Sequence, residues 1–157
     1  MEIKRKFLLN CLPLNVNKFK HYSIEKAYIS FDPKIKIVKI NNLCYLIKNN
    51  DEIIKQEIKE DIYNMLKEKY IENNVINKTK YLIPLSAKTI AEIDSYSNTL
   101  DNFKTVNVKF ENENEANQFE IPNWFGKEIT NNFEYYDTSL SKIKENNNFI
   151  LIKTSNK

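Results

Sequence analysis

The sequence predicts an α+β, mainly β protein: about eight antiparallel strands forming a barrel, with helices packed on its outside. Three observations lead there. Short segments of alternating polar and apolar residues recur along most of the 157 residues, bounded by Asn, Asp or Pro turn signals. Only one long stretch switches to the three-and-four spacing of a helix. Several strands carry charge on one face and apolar residues on the other, so the sheet has one wet side. An open sheet solvated on one face produces the same pattern.

The first segment, Met1 to Asn10, puts Glu2, Lys4 and Lys6 on one face if it is a strand, and Ile3, Arg5 and Phe7 on the other, because side chains alternate. Leu12 to Tyr22 contains Pro13 and no clean period, and reads as a connection with one helical turn. Ile24 to Phe31 is a strand ending at the Asp32-Pro33 turn signal. Lys34 to Ile40 places Lys34, Lys36 and Val38 on one face and Ile35, Ile37 and Lys39 on the other. Asn41-Asn42 turns the chain, since Asn tolerates positive φ, and Leu43 to Lys48 returns. Asn49-Asn50-Asp51 then leads into Ile53 to Ile58. Ile62, Met65, Leu66, Lys69 and Tyr70 recur at helical spacing in a Glu- and Lys-rich context, which predicts an amphipathic helix over Glu60 to Tyr70. Val75 to Leu85 is a strand with Lys78 and Lys80 on one face, and Lys88 to Tyr96 one with Glu92 and Asp94 on one face. Phe103 to Phe110 alternates strictly from Lys104 onward, and Glu113 to Phe119 is a short helix. Ile121 to Thr130 holds the only Trp and the only Gly, and reads as an ordered cap loop. Ser139 to Lys144 is expected to be helical, and Phe149 to Lys153 to add a strand.

Composition narrows the function. At 18.7 kDa the chain suits one domain spanning 1–157. No apolar run approaches the roughly 18 residues of a membrane span, so no membrane partner is expected. The 24 basic and 21 acidic residues nearly balance, which argues against an electrostatically driven nucleic-acid binder. Cys11 and Cys44 fit neither a disulfide framework nor a zinc site, and a cytoplasmic protein without a signal peptide is the expectation. His21 is the sole histidine, so chemistry needing two imidazoles is excluded, and it reads as a surface or packing residue. The single glycine, Gly126, rules out Gly-rich phosphate loops, so any phosphate must be held by side chains.

From Glu2 to about Leu140, a series of segments is similar, in the same order, to the blocks of the CYTH family, the triphosphate tunnel metalloenzymes. Glu2, Arg5, Lys6, Phe7 and Leu8 match the family's opening Glu-x-Glu-x-Lys, overlapped by Arg-Lys-Phe-Leu. Lys78-Thr79-Lys80-Tyr81 resembles its Lys-Thr-Arg-Tyr strand, Glu92-Ile93-Asp94 its Glu-Leu-Asp strand, and Val106-Asn107-Val108-Lys109-Phe110 its Val-Glu-Val-Glu-Phe strand. The most specific block is Pro122-Asn-Trp-Phe-Gly-Lys-Glu-Ile-Thr130 with the later Tyr135, close to Pro-x-Trp-(Phe/Leu)-Gly-x-Glu-(Val/Ile)-Thr and its tyrosine. The resemblance implies an eight-stranded antiparallel β-barrel around a tunnel of opposed charges. Basic side chains there grip a triphosphate, and glutamates hold Mg²⁺ or Mn²⁺. Members hydrolyse inorganic or thiamine triphosphate, or make cyclic AMP; nothing in this chain points to an adenine pocket.

Carried over residue by residue, the resemblance assigns Lys6, Lys36, Lys48, Lys78 and Lys80 to anion binding. The family's Arg-x-Arg hairpin pair falls on Lys36 and Val38 or, in another register, on Lys34 and Lys36. Lys keeps the charge of Arg but loses its bidentate fork. Glu2, Glu92 and Asp94 remain as metal ligands if the protein is an active Mg²⁺ or Mn²⁺ enzyme; otherwise no cofactor is expected. The acidic side departs further. Lys4 replaces the second opening glutamate, Asn107 and Lys109 replace both glutamates of the Val-Glu-Val-Glu-Phe strand, and Glu134 stands where an arginine precedes the tyrosine. Ammonium groups cannot ligate a metal, and they repel one nearby. Lys4 and Lys109 therefore either take over the cation's role or pair internally with Glu2, Glu92 and Asp94. The expected function is a degenerate triphosphatase relative that binds a small phosphate-rich or other anionic ligand with weak or no catalysis. An active metal-dependent inorganic triphosphatase is the alternative, and a purely structural or partner-binding barrel is a third reading.

Overall fold

The computed structural model describes residues 3–71 and 75–143. Among them, eight strands make one antiparallel sheet: β1 (Ile3–Leu8), β2 (Lys20–Phe31), β3 (Lys34–Ile40), β4 (Leu43–Asn49), β5 (Ile53–Ile58), β6 (Ile76–Pro84), β7 (Ile90–Tyr96) and β8 (Lys104–Phe110). Their order is β1-β8-β7-β6-β2-β3-β4-β5. The helices are α1 (Glu60–Tyr70), α2 (Glu113–Gln118) and α3 (Asp137–Leu140). No helix of the described residues is long and apolar enough to cross a membrane. The last predicted strand, Phe149 to Lys153, lies outside the described residues.

The sheet is open, and the predicted closed barrel is corrected to this extent: β1 and β5 are its two edges and do not pair with each other. The reason lies at β1. Its outer backbone groups are taken by the cap loop, through Gly126 N to Leu8 O at 2.7 Å, Leu8 N to Lys127 O at 2.8 Å and Ile129 N to Lys6 O at 2.7 Å. A loop satisfies the edge that a closing strand would need. Gly126 permits this approach, because a Cβ there would lie 2.7 Å from the Leu8 carbonyl oxygen.

With one glycine in the chain, the turns use asparagine for left-handed backbone. Asn15, Asn41, Asn98, Asn102 and Asn131 all have φ between 53° and 72°, the conformation that Asn tolerates best after Gly. Asn41 closes the β2–β3 side of the β3–β4 turn by donating its N–H to Ser23 O at 2.8 Å. Strand β2 starts at Lys20, earlier than predicted, because its first residues pair with β6 (Lys20 with Leu82, Tyr22 with Lys80) ahead of its pairing with β3.

One face of the sheet is apolar and covered. Phe7, Ile93, Val106, Val108 and Phe110 form its core with Ala116 of α2 and Phe125 of the cap loop. Rings knit the loop on: Phe7–Phe125 centroids lie 4.9 Å apart and Trp124–Phe125 4.6 Å. Over β2–β4 the cover is α1, whose extent matches the prediction but whose buried face does not. Ile62 and Met65 are exposed, and Tyr63 is the buried residue, packed with Ala27, Ile37 and Cys44. The Tyr63 hydroxyl donates to Glu25 Oε1 at 2.8 Å, which Lys67 also meets at 3.0 Å. Tyr63 buries its whole ring while its hydroxyl keeps a hydrogen bond, which the simple apolar count does not weigh.

Gly126→Ala is expected to lower stability by about 1–3 kcal/mol, because the new methyl must push the cap loop off a backbone carbonyl. Urea unfolding followed by Trp124 fluorescence measures this.

Candidate functional site

The other face of the sheet gathers the charges. Residues directly opposed in a ladder share a face, and the register runs Lys6–Asn107, Asn107–Glu92, Lys80–Asp94, Lys78–Tyr96 and Tyr28–Lys36 across six strands. These strands enclose a cavity of about 400 Å³ lined by Lys4, Lys6, Lys26, Lys34, Lys36, Lys78 and Lys80, with Asp94, Asn107, Thr130, Tyr136 and Asp137. Seven lysines face two aspartates there, a formal excess of five positive charges.

Of the residues singled out from the sequence, Lys6, Lys36, Lys78, Lys80 and Asp94 meet in this cavity. Lys48 does not. It opposes Ile35 and Ile54, one step out of register with Lys36, and a one-residue offset reverses the face. Lys34 and Lys36 both line the cavity while Val38 on the same face is buried and apolar, so the hairpin pair is Lys34-x-Lys36. Glu92 lies beside the cavity, paired with Lys109 at 3.3 Å and Lys80 at 3.8 Å. Glu2 lies outside the described residues. His21 is exposed on β2, its Nδ1 2.8 Å from Phe19 O.

Two residues that sequence reasoning missed organise the site. Asp137, at the first turn of α3, receives Lys26 Nζ and Lys78 Nζ on one oxygen, each at 2.8 Å, and the Tyr96 hydroxyl on the other at 2.6 Å. Lys26 shares a face with Tyr28 and was hidden because β2 reads as a mixed polar run. Asp137 carried no strand periodicity; only its place two residues beyond Tyr135 could have drawn notice. Lys78 also bonds Asp94 Oδ2 at 3.0 Å, and Lys80 lies 3.1 Å from Asp94 Oδ1. That second contact is an ion pair by distance but lacks hydrogen-bond geometry, since Asp94 Oδ1 has no hydrogen-bond partner.

The cavity's lysines therefore divide into two sets. Lys26, Lys78 and Lys80 are matched to carboxylates. Lys4, Lys6, Lys34 and Lys36 have no carboxylate within 4.0 Å among the described residues; Lys6 donates instead to Tyr135 O at 3.1 Å. Titration does not simply follow this division, since burial brings Lys26 below the ordinary lysine value despite its pairing with Asp137. Burial pushes the Asp137 and Asp94 carboxyls up, but Lys78 with Lys26, and Lys78 with Lys80, outweigh it and hold both below the ordinary carboxylate value. The same two carboxylates overcome burial at Lys78 and raise it. Lys36 moves the other way: burial, then Lys26 and Lys34, bring it down to about 8.

These donors do not suit a divalent metal. Mg²⁺ and Mn²⁺ need several oxygen ligands converging on one point, and no three His, Cys, Asp or Glu side chains converge among the described residues. Asp94, Asp137 and Glu92 are each already bridged by lysine, and Lys4 and Asn107 stand in the cavity wall. What the arrangement offers is a polar hollow with unneutralised ammonium groups, suited to a small polyanion.

No protein-family model matches the chain, and no curated protein matches it by sequence. Solved structures do. The crystal structure of the inorganic triphosphatase NE1496 aligns at a TM-score of 0.81 with 23% identity, covering 92% of this chain and 97% of that one. A second structure, of the hypothetical protein NE1496, aligns at 0.79 with 23% identity, covering 91% and 99%. The likeness establishes that this chain shares the fold of these structures, an eight-stranded antiparallel sheet with few helices.

Because Asp94 and Asp137 titrate lower folded than unfolded, the stability they contribute is complete above the unfolded value of about 3.9 and is lost as pH falls below it. Unfolding midpoints in urea should drop steeply below that pH. Asp137→Ala should cost about 3–5 kcal/mol at neutral pH, since it leaves two ammonium groups unpaired in the interior, and it should remove part of the acid dependence.

Proposed function

We propose that this chain, which has the fold of an inorganic triphosphatase, binds a small phosphate-rich anion in the lysine-lined cavity without a divalent metal and with little or no hydrolysis. The observation that carries this reading is the excess of lysine over aspartate lining one cavity. Packing seven ammonium groups around one hollow is unfavourable unless anions neutralise them. Asp94 and Asp137 neutralise only part of that charge.

In this reading the two sets of lysines have different tasks. Lys26 and Lys78, locked by Asp137, are positioning residues that hold the wall in shape. Lys6, Lys34 and Lys36, without a carboxylate partner among the described residues, supply point contacts to phosphate oxygens. Lys80, 22% exposed in its side chain and shared between Asp94 and Glu92, can swing to a ligand. Hydrolysis of a triphosphate asks for charge neutralisation and a positioned water. Lysine supplies the first, but Lys109 occupies Glu92, and among the described residues the carboxylates at the cavity, Asp94 and Asp137, are each paired with lysine.

Isothermal titration with inorganic tripolyphosphate tests the reading. Binding should persist in EDTA. Lys6→Ala and Lys36→Ala should each weaken it roughly tenfold or more, the scale of one charged hydrogen bond, whereas Lys48→Ala, on the opposite face, should change nothing. Mg²⁺-dependent phosphate release of order 1 s⁻¹ that Glu92→Gln abolishes would replace the binder with the active metal-dependent triphosphatase. Restoring glutamate at positions 4, 107 and 109 should raise metal-dependent hydrolysis if the site has lost its metal, and change little if the enzyme already works.

Affinity should also fall as pH rises through about 8, because Lys36 loses its proton there. Lys36→Arg should remove that component, and the difference between the two titration curves isolates it from the ligand's own ionisation.

A further inference from the structure

The two edges of the sheet are managed differently. The β1 edge is closed by the cap loop, but among the described residues β5 pairs with β4 alone. Every residue from Ile53 to Glu57 is exposed, with Ile53 at 74% and Ile54 at 52%. A free strand with apolar side chains on both faces is a template for another strand. We propose that β5 is a homodimer interface, pairing antiparallel with β5 of a second copy across a two-fold axis at Gln56.

The register follows from charge. In such a pairing, opposed residues share a face, so the axis passes through a residue, and Lys55, Gln56 and Glu57 are the central choices. An axis at Lys55 opposes two lysines, and one at Glu57 opposes two glutamates. An axis at Gln56 sets Lys55 against Glu57 of the second copy twice, Ile54 against Ile58 twice, and Gln56 against itself. Like charges directly opposite destabilise a sheet, and opposite charges and apolar pairs stabilise it. Within the single chain, Glu57 has no ion-pair partner among the described residues, and the Lys55 ammonium rests 4.3 Å over the Tyr45 ring. The strand is thus self-complementary in one register, and pairing fuses two eight-stranded sheets into one.

Sedimentation velocity on the full chain over a concentration series tests this. The expected result is a concentration-dependent dimer. Lys55→Glu and Glu57→Lys, each placing like charges opposite, should weaken it roughly tenfold or more, and the double variant K55E/E57K should restore it. These side chains are exposed, so circular dichroism should be unchanged throughout, and rescue by the double variant excludes a folding defect. Three results would overturn the proposal: a monomer at the highest concentration, a dimer indifferent to the swaps, or a monomer in which the β5 amides that point away from β4 resist hydrogen exchange. The last would assign the edge to a segment of the same chain.

Discussion

The site depends on one buried carboxylate. Asp137 binds Lys26, Lys78 and Tyr96 at once, and without it the sheet would present a cluster of ammonium groups with Asp94 as the sole acid in the cavity wall among the described residues. Two costs are met together. The desolvation of Asp137 is offset by two cations, and the repulsion between Lys26 and Lys78 is offset by the anion between them. Because Asp137 belongs to α3 and its partners to β2, β6 and β7, the same contact ties the last described segment onto the charged face.

Around that contact the segment packs by ordinary burial. Tyr135 stacks on Phe103 with centroids 5.9 Å apart, and Leu140 and Ile143 join Ile76, Tyr96 and Ile129 in a second apolar cluster. Ile76 and Tyr96 share the face that carries Lys78, so this face is apolar at one end and ionic beyond it. The apolar end excludes water from the Asp137 pairings, which strengthens them. In the ionic part, burial first and then the neighbouring Lys26 and Lys34 bring Lys36 down to about 8.

The contrast with a metal site is one of sign. A divalent ion needs clustered carboxylates and keeps bases at a distance; here, among the described residues, Glu92 is paired with Lys109, Asp94 with Lys80 and Lys78, and Asp137 with Lys26 and Lys78. Lys109 takes one of the two alternatives open to it, the internal pairing with Glu92, while Lys4 stays in the cavity wall with no carboxylate within 4.0 Å among the described residues. An excess of fixed positive charge on a rigid sheet is a preorganised receptor for an anion, since the reorganisation cost is already met in folding.

Strand alternation alone determined most of the sheet. Period two assigned Lys4 and Lys6 to one face and Phe7 to the other, joined Lys78 with Lys80 and Glu92 with Asp94, and found the β3–β4 hairpin at its asparagine turn. The eight strands, and the span of α1, were legible because these are local properties of spacing and turn chemistry. Three things were decided by tertiary structure. Lys48 fell on the wrong face because cross-strand register depends on loop geometry, which a motif alignment does not contain. The sheet stayed open because the cap loop reached the β1 edge first, a contact spanning more than a hundred residues and made possible by Gly126. Asp137 became the centre of the site because a short helix, silent in periodicity, was carried there by the burial of its neighbours; alternation sets which way a side chain points, and only packing sets what it meets.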